Sequence, residues 1–300
     1  MPIPSCWPTW VKDVRAALAC ERQPVPHYVY KRLAIDLILV TTKCRSAMLI
    51  DTCTLSLRQI QALAALFEQH DLDNLSLILY APAHQVFVVN RQSVIESIEK
   101  DQNRRVFVDP RYAHQPVYDT PAGVQTILSR IQEACVANEH ASIIVSRNSM
   151  ADARYLGISA CGWLLGYPVV YLCSTVGDAL DISHMDASIQ CLPVTHEEAE
   201  AQWSMNEWDT SAAKFTDLSL LLVEATMQYA PVPQMSAHEY HPVMAYTLPV
   251  NMPHAQELVD AWKHQILSHW QARRVHLPEF LRHVTFHIQS VQIYMDRIAL

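Results

Sequence analysis

The scarcity of glycine is the feature that most constrains how this chain can fold. Only five glycines occur in 300 residues, and three of them lie between positions 157 and 166. Glycine is required where the backbone takes a positive φ or where two segments pass very close to each other. We therefore expect a helix over 149–165 that packs closely on a sheet at Gly162 and ends at Gly166, with Pro168 preventing its continuation.

None of the motifs that identify a reaction is complete. The glycine segment lacks the Lys-Ser/Thr pair of a phosphate-binding loop, and its glycines lie late in the expected helix rather than between a strand and a helix start. The chain has no G-x-S-x-G and no H-E-x-x-H sequence. Cys161 and Cys173 lie in apolar segments, where a thiol is usually inert. The fifteen histidines are interpreted as surface residues.

Composition and charge limit the class of protein. Half of the residues are apolar and 17% are charged, which is typical of a folded globular chain. A net charge of −8 argues against general binding to nucleic acid, which depends on lysine and arginine neutralising phosphates. The longest apolar runs are far shorter than the roughly 20 residues that cross a bilayer, and the first residues lack a secretory signal pattern. We therefore expect a cytoplasmic or nuclear protein.

Short apolar runs alternate with helical periodicity through the first half of the chain. Two helices within 9–43 open it, and strand-like segments follow near 47–51, 75–80, 85–90, 106–109, 141–145 and 169–173. This order predicts an α/β fold with a mixed, mostly parallel sheet flanked by helices, an antiparallel hairpin over 75–90 and a less regular C-terminal part. No linker interrupts the pattern, so residues 1–300 are predicted to form a single domain in which helices 9–43 pack on the sheet.

The pattern is weaker in the second half of the chain. We expect a long apolar helix over 211–229, a strand over 243–248, a helix over 254–272 and one or two closing strands over 284–300. Trp262, Ile266 and Trp270 recur every four residues in the second of these helices. They are therefore predicted to share one face, which is buried in the core.

Several apolar segments together resemble a known family. They are Ala47-Met-Leu-Ile-Asp51, Val86-Phe-Val-Val-Asn90, Val106-Phe-Val-Asp109, Leu165-Gly-Tyr-Pro-Val-Val-Tyr171 and Tyr246-Thr-Leu-Pro-Val250. In this order they are similar to an uncharacterised eukaryotic protein family, typified by an open reading frame of unknown function on human chromosome one, over residues 10–300. The resemblance implies no activity, and no functional residue is carried over from it.

Polar residues at strand ends form the candidate site. In open α/β sheets, ligands bind beyond the carboxyl ends of the strands, where this chain places Asp51 and Asp109. If their strands are neighbours, the two carboxylates are predicted to hold Mg²⁺ against a phosphate, and Arg147 or Asn148 would bind the substrate. The alternative is that both aspartates only cap the turns that follow their strands.

Two functional hypotheses remain open for a chain whose function the motifs leave unknown. The first is a metal-assisted hydrolase of a phosphoester or nucleotide-like small molecule, with Asp51 and Asp109 as metal ligands. The second is a non-catalytic protein–protein interaction module. Its partner would bind an exposed apolar patch near Trp203, Trp208 or Trp262.

Overall fold

The described part of the chain contains nine α-helices. A computed structural model describes residues 7–20, 25–100, 105–109, 115–145, 150–172, 189–204, 214–228 and 240–297. The helices are α1 (Trp7–Leu18), α2 (His27–Thr41), α3 (Leu57–Gln69), α4 (Arg91–Lys100), α5 (Ala122–Ala137), α6 (Met150–Leu164), α7 (Glu197–Trp203), α8 (Ala255–Arg273) and α9 (Glu279–Arg282). Among these described helices, none is both long and apolar enough to cross a membrane.

Ten β-strands form three sheets in the same ranges. The strands are β1 (Ala47–Leu49), β2 (Leu75–Tyr80), β3 (Gln85–Asn90), β4 (Val106–Val108), β5 (Ala141–Val145), β6 (Val169–Tyr171), β7 (Ile189–Pro193), β8 (Lys214–Gln228), β9 (Tyr240–Pro249) and β10 (Thr285–Arg297). The main sheet has the order β1-β3-β2-β5-β7, the second sheet has the order β10-β8-β9, and β4 pairs with β6. The fold is therefore α/β with a mixed sheet, as predicted.

The parallel character of the sheets is only partial. Of the seven strand pairings described, β2–β5 and β4–β6 are parallel, and the others are antiparallel. The predicted hairpin of β2 and β3 is confirmed, with His84 in the left-handed region at its turn. Because β3 also pairs with β1, it lies between β1 and β2 and separates the two strands that run in the same direction.

Helices cover both faces of the main sheet. Leu77 and Leu79 of β2 belong to a buried cluster with α1, α2 and α3, whereas Ile78 and Tyr80 belong to a cluster with α4, α5 and α6. Successive side chains of a strand point to opposite faces, so a strand that is covered on both sides reads as a continuous apolar run. Helix α3 starts at the predicted capping box, in which Ser56 and Gln59 exchange hydrogen bonds.

Helix α2 connects the main sheet to the second sheet. Every residue from Leu33 to Thr41 is buried, which is the pattern of a helix covered on all sides. The helix contacts β1 and β3 of the main sheet. His241 of β9 hydrogen-bonds to Asp36 in the middle of the helix.

The prediction of a helix over 211–229 is wrong, because Lys214–Gln228 is the central strand β8 of the second sheet. Val223, Ala225 and Met227 are buried, while the residues between them are only partly buried. This alternation is typical of a strand, but the run of leucines that precedes it conceals the period. Pairing with β9 and β10 on the two edges determines the structure. The later strand, helix and closing strand are confirmed as β9, α8 and β10.

The glycine segment ends a helix and permits a close contact, although not where the sequence suggested. Helix α6 ends at Leu164, and Gly166 has a φ of +83°. A Cβ added at Gly157 would lie 2.9 Å from Cδ1 of Tyr80, whereas a Cβ at Gly162 would have its nearest neighbours at an ordinary 3.5 Å. The tight helix–sheet contact therefore lies at Gly157.

Candidate functional site

The structure describes two of the four predicted site residues. Asp51 follows β1 and pairs with Arg32, with 3.5 Å between Oδ1 and Nη2. Asp109 follows β4, which belongs to a different sheet from β1. Arg147 and Asn148 lie outside the described residues. The strand that precedes them, β5, is separated from β1 by two strands, which places β1 and β5 roughly 14 Å apart at about 4.8 Å per strand.

Magnesium binding by Asp51 and Asp109 stays a prediction. The hypothesis required their strands to be neighbours, and β1 and β4 are not paired with each other in the sheets described. Within the described ranges, no group of three or more His, Cys, Asp or Glu side chains could hold a metal ion. A magnesium ion at either aspartate would therefore have to complete its coordination with water and substrate oxygens.

A cavity of about 360 Å³ lies between α6 and β6 on one side and β9 on the other. Its volume is at the lower end of the range for pockets that bind small molecules, roughly 300–1,000 Å³. Asp51 is part of the wall, and Asp109 is not among the described residues that line it. The other contributions to the wall come from α2, from β1 and its flanks, from Gln85 of β3 and from one residue of β8. We take this cavity as the candidate site.

One wall of the cavity carries a network of charges around Asp36. Oδ1 of Asp36 lies 3.2 Å from Nη1 of Arg45 and 3.0 Å from Nε2 of His241. Arg32 is one helical turn before Asp36, and its Nε lies 3.9 Å from Oδ2. Its Nη2 reaches Asp51 at the end of β1. Burying a carboxylate is costly unless cations and hydrogen bonds surround it, so these three neighbours explain why Asp36 can be 6% exposed.

A β-bulge in β9 turns His241 toward Asp36. The register of β9 against β8 skips Val243, which is therefore an extra residue in the strand. Val243 and Met244 are consecutive and both buried, and the bulge inverts the alternation of side chains on its far side. If Val243 instead held a regular place in the ladder, His241 would lie on the same side of the strand as the exposed Ala245.

The opposite walls of the cavity are mainly apolar. They include Ile158 of α6, Val170 of β6 and Met244 of β9. Tyr171 and Thr247 share a hydrogen bond of 3.1 Å between their hydroxyl oxygens, which joins β6 to β9. The cavity is thus charged where residues 32–51 form the wall and mostly apolar where α6, β6 and β9 form it.

Four polar atoms of the lining residues are buried without a hydrogen-bond partner in the described part of the chain. They are Nε of Arg32, Nε of Arg45, Oε1 of Gln85 and the hydroxyl of Tyr246. An unpaired buried polar atom costs about 1–3 kcal/mol, and native proteins usually provide it with a partner. Burial raises the pKa of the Tyr246 phenol, so this group stays protonated and can donate a hydrogen bond.

Cys161 is the thiol in the wall of the cavity. Burial raises its pKa to about 12, and the nearby charge of Asp51 acts in the same direction. The thiol is therefore protonated at neutral pH and is a weak nucleophile, which agrees with the sequence interpretation of Cys161. The arrangement of the wall favours ligand binding over covalent attack by this residue.

Sequence reasoning missed Arg32, Asp36 and Arg45 of the charged wall, and it also missed His241, which hydrogen-bonds to Asp36. One local signal was present, because Asp36 is the only charged residue between Leu33 and Val40 of α2, and a buried acid requires a partner. The interpretation of His241 as a surface histidine is wrong, since it is 4% exposed.

The apolar patch expected for a protein partner is not formed by the tryptophans that are described. Trp203 and Trp262 are both buried, and Trp208 lies outside the described residues. The prediction of a shared buried face on α8 is confirmed, because Trp262 and Trp270 are buried and Ile266 packs against the same cluster.

Comparison with known proteins identifies a family but no activity. The family model described as Domain of unknown function (DUF4504) matches residues 15–299. No curated protein and no solved structure matches the chain.

Proposed function

Because the chain belongs to the DUF4504 family, whose function is unknown, we propose from the site itself that the protein binds a small organic molecule in the cavity between α6 and β9. The observation that supports this proposal is the presence of Arg32 and Arg45 in the wall, each with a buried Nε–H that makes no hydrogen bond with the described residues. A guanidinium has five N–H donors and no acceptor. The ligand would therefore present a hydrogen-bond acceptor to this wall.

A thermal-shift screen tests the proposal. The purified protein is heated with a panel of carboxylates, phosphates, sulfonates, alcohols and amines, alongside Arg32→Met and the control Arg58→Met. Arg58 is exposed on α3 and does not line the cavity. A ligand that binds the folded state raises the Tm, so we expect a shift that Arg58→Met keeps and Arg32→Met loses. A panel without any shift, or a shift that Arg32→Met retains in full, would contradict the proposal.

A metal-assisted hydrolase of a phosphoester or nucleotide-like molecule is the second candidate. It is supported by the position of Asp51, which lies in the cavity wall with a side chain that is 56% exposed. The assay is phosphate release from small phosphoesters with and without Mg²⁺, compared between the wild type and Asp51→Asn and Asp109→Asn. Activity that requires Mg²⁺ and is lost in both variants would support it, with Arg147 and Asn148 as the next positions to change.

The cellular location and the wider family are proposals that rest on sequence patterns alone. The first of them is a cytoplasmic or nuclear location. The order of apolar segments supports a eukaryotic family typified by the human chromosome-one reading frame. Fluorescence microscopy of the tagged full chain would test the first of these proposals.

A further inference from the structure

The cavity is amphipathic, and its charged and apolar side chains come from different parts of the chain. Its charged side chains belong to α2 and the flanks of β1, namely Arg32, Asp36, Arg45 and Asp51. Its aliphatic side chains belong mainly to α6, β6 and β9. A ligand that contacts both parts needs a polar group at one end and an apolar body at the other.

Hydrogen-bond donors exceed available acceptors on the charged wall. The carboxylate of Asp36 already has Arg32, Arg45 and His241 around it. The two guanidinium groups together carry ten N–H donors, and each keeps a buried Nε–H that makes no hydrogen bond in the described part of the chain. The wall therefore suits an anionic or acceptor group on the ligand.

The ion pair of Arg32 with Asp51 is the contact that a ligand can replace. Its distance of 3.5 Å is long, and the two side chains are 33% and 56% exposed. An exposed pair of this kind contributes little to stability. Arg45, in contrast, is held by Asp36 with both side chains at most 10% exposed. Solvent reaches the charged wall at Arg32 and Asp51, so the ligand's polar group can arrive there.

The charge of the wall limits the charge of the ligand. Arg32 and Arg45 balance Asp36 and Asp51, so the four side chains sum to zero. A doubly charged phosphate monoester would add two negative charges to a neutral and partly buried site, and the cost of desolvating an ion that is not fully paired is several kcal/mol. A carboxylate adds one negative charge and matches the planar fork of a guanidinium in two hydrogen bonds.

We propose that the ligand class of this cavity is an amphipathic monocarboxylate, whose carboxylate binds Arg32 and Arg45 and whose hydrocarbon body lies against the apolar walls of α6, β6 and β9. This inference rests on the proposed function, because it specifies the ligand of the same site. The ligand carboxylate takes the place of Asp51 on Arg32, and the Tyr246 hydroxyl supplies a further donor in the wall.

Four probes with the same eight-carbon chain test the ligand class. Octanoate, octanol, octylamine and octyl phosphate are titrated into the full chain by isothermal calorimetry, below the concentration at which each aggregates. We expect octanoate to bind at least tenfold more tightly than each of the other three. Octyl phosphate or octylamine as the tightest probe, or equal affinity of octanoate and octanol, would overturn the monocarboxylate assignment.

Arginine variants locate the binding of octanoate. Arg32→Met should weaken it at least tenfold and leave octanol within twofold, whereas Arg58→Met should leave both unchanged. Because Arg45 is buried beside Asp36, Arg45→Lys is the second variant, since it keeps the charge and removes the fork. It should weaken octanoate by a smaller factor. Full octanoate affinity in both Arg32→Met and Arg45→Lys would overturn the assignment.

The outcomes separate this inference from the proposed function. If no octyl probe binds but another compound of the thermal-shift panel binds in an Arg32-dependent way, the monocarboxylate assignment fails and the cavity remains a ligand site. If neither the octyl probes nor the panel binds, both proposals fail.

Discussion

At the scale of single residues, one buried acid organises the site. Asp36 lies on a helix that is covered on all sides, and its Oδ1 lies 3.2 Å from Nη1 of Arg45 and 3.0 Å from Nε2 of His241. The sequence shows that Asp36 is the one acid in an apolar run, but it does not show which residues contact its carboxylate. Partners that come from a loop and from the bulge of a distant strand have no local signature.

The same substitution at two aspartates compares the contribution to stability of the buried Asp36 with that of the exposed Asp51. Asp36→Asn should lower the free energy of unfolding by about 3–5 kcal/mol, because it leaves Arg45 buried without its counter-charge. Asp51→Asn should change it by less than about 1 kcal/mol, since its pair is exposed. Urea unfolding followed by circular dichroism measures both. Equal effects would show that Asp36 is not the anchor of the network.

Substitution by alanine should have opposite effects on stability at the two glycines of α6, Gly157 and Gly162. Gly157→Ala should destabilise the fold by about 1–3 kcal/mol, because the new Cβ collides with the buried ring of Tyr80. Gly162→Ala should stabilise it by roughly 0.5–1 kcal/mol, because the methyl group meets ordinary contacts and alanine favours the helix. Thermal and urea unfolding of both variants provide the measurement, and a destabilised Gly162→Ala would contradict this description of α6.

At the scale of elements, two features of the second sheet depend on long-range pairing, namely the strand structure of β8 and the bulge in β9. A helix and a strand both accommodate the run Leu218–Val223 of β8, and long-range pairing selects the strand. Most of the described fold up to β6 could be predicted, because short strands, capping residues and the hairpin turn have local signals, whereas the edge strand β7 was not predicted. The bulge at Val243 could not be predicted, because it exists only relative to the register of the neighbouring strand.

The junction of β2 and β5 should make stability depend on pH. Nδ1 of His140 accepts a hydrogen bond of 3.0 Å from the backbone N–H of Leu77. Burial lowers the pKa of His140 below its ordinary value of 6.5, and the charge of Arg91 acts in the same direction. The unfolded chain therefore binds a proton before the folded protein does. The contribution of His140 is present above pH 6.5 and is lost as the pH falls through the lowered pKa of the folded state.

The variant His140→Asn isolates this effect, because asparagine retains an acceptor and does not titrate. The free energy of unfolding of the wild type should fall more steeply between pH 7 and pH 5 than that of the variant. Urea unfolding across this pH range gives the comparison. Parallel curves for the two proteins would mean that His140 does not contribute to acid sensitivity.

At the scale of the whole molecule, the cavity exists because three parts of the chain meet around α2. Residues 32–51 supply its charges, α6 and β6 supply one apolar wall, and β9 supplies the other. The sequence singled out Asp51, which lines the cavity, and its role in binding a ligand stays a prediction. The sequence could not predict the partners of Asp51, because the packing of the second sheet against α2 depends on the tertiary fold.

The central claim is that a small molecule binds in this cavity, and NMR of methyl-labelled methionines tests it most directly. Met244 lines the cavity, whereas Met252 is buried outside it. Resonances are assigned with Met244→Leu and Met252→Leu, and octanoate is then titrated into the full chain. We predict a saturable change in the Met244 methyl resonance and little change at Met252. An unchanged Met244 resonance at concentrations where calorimetry detects binding would place the ligand elsewhere and contradict the account.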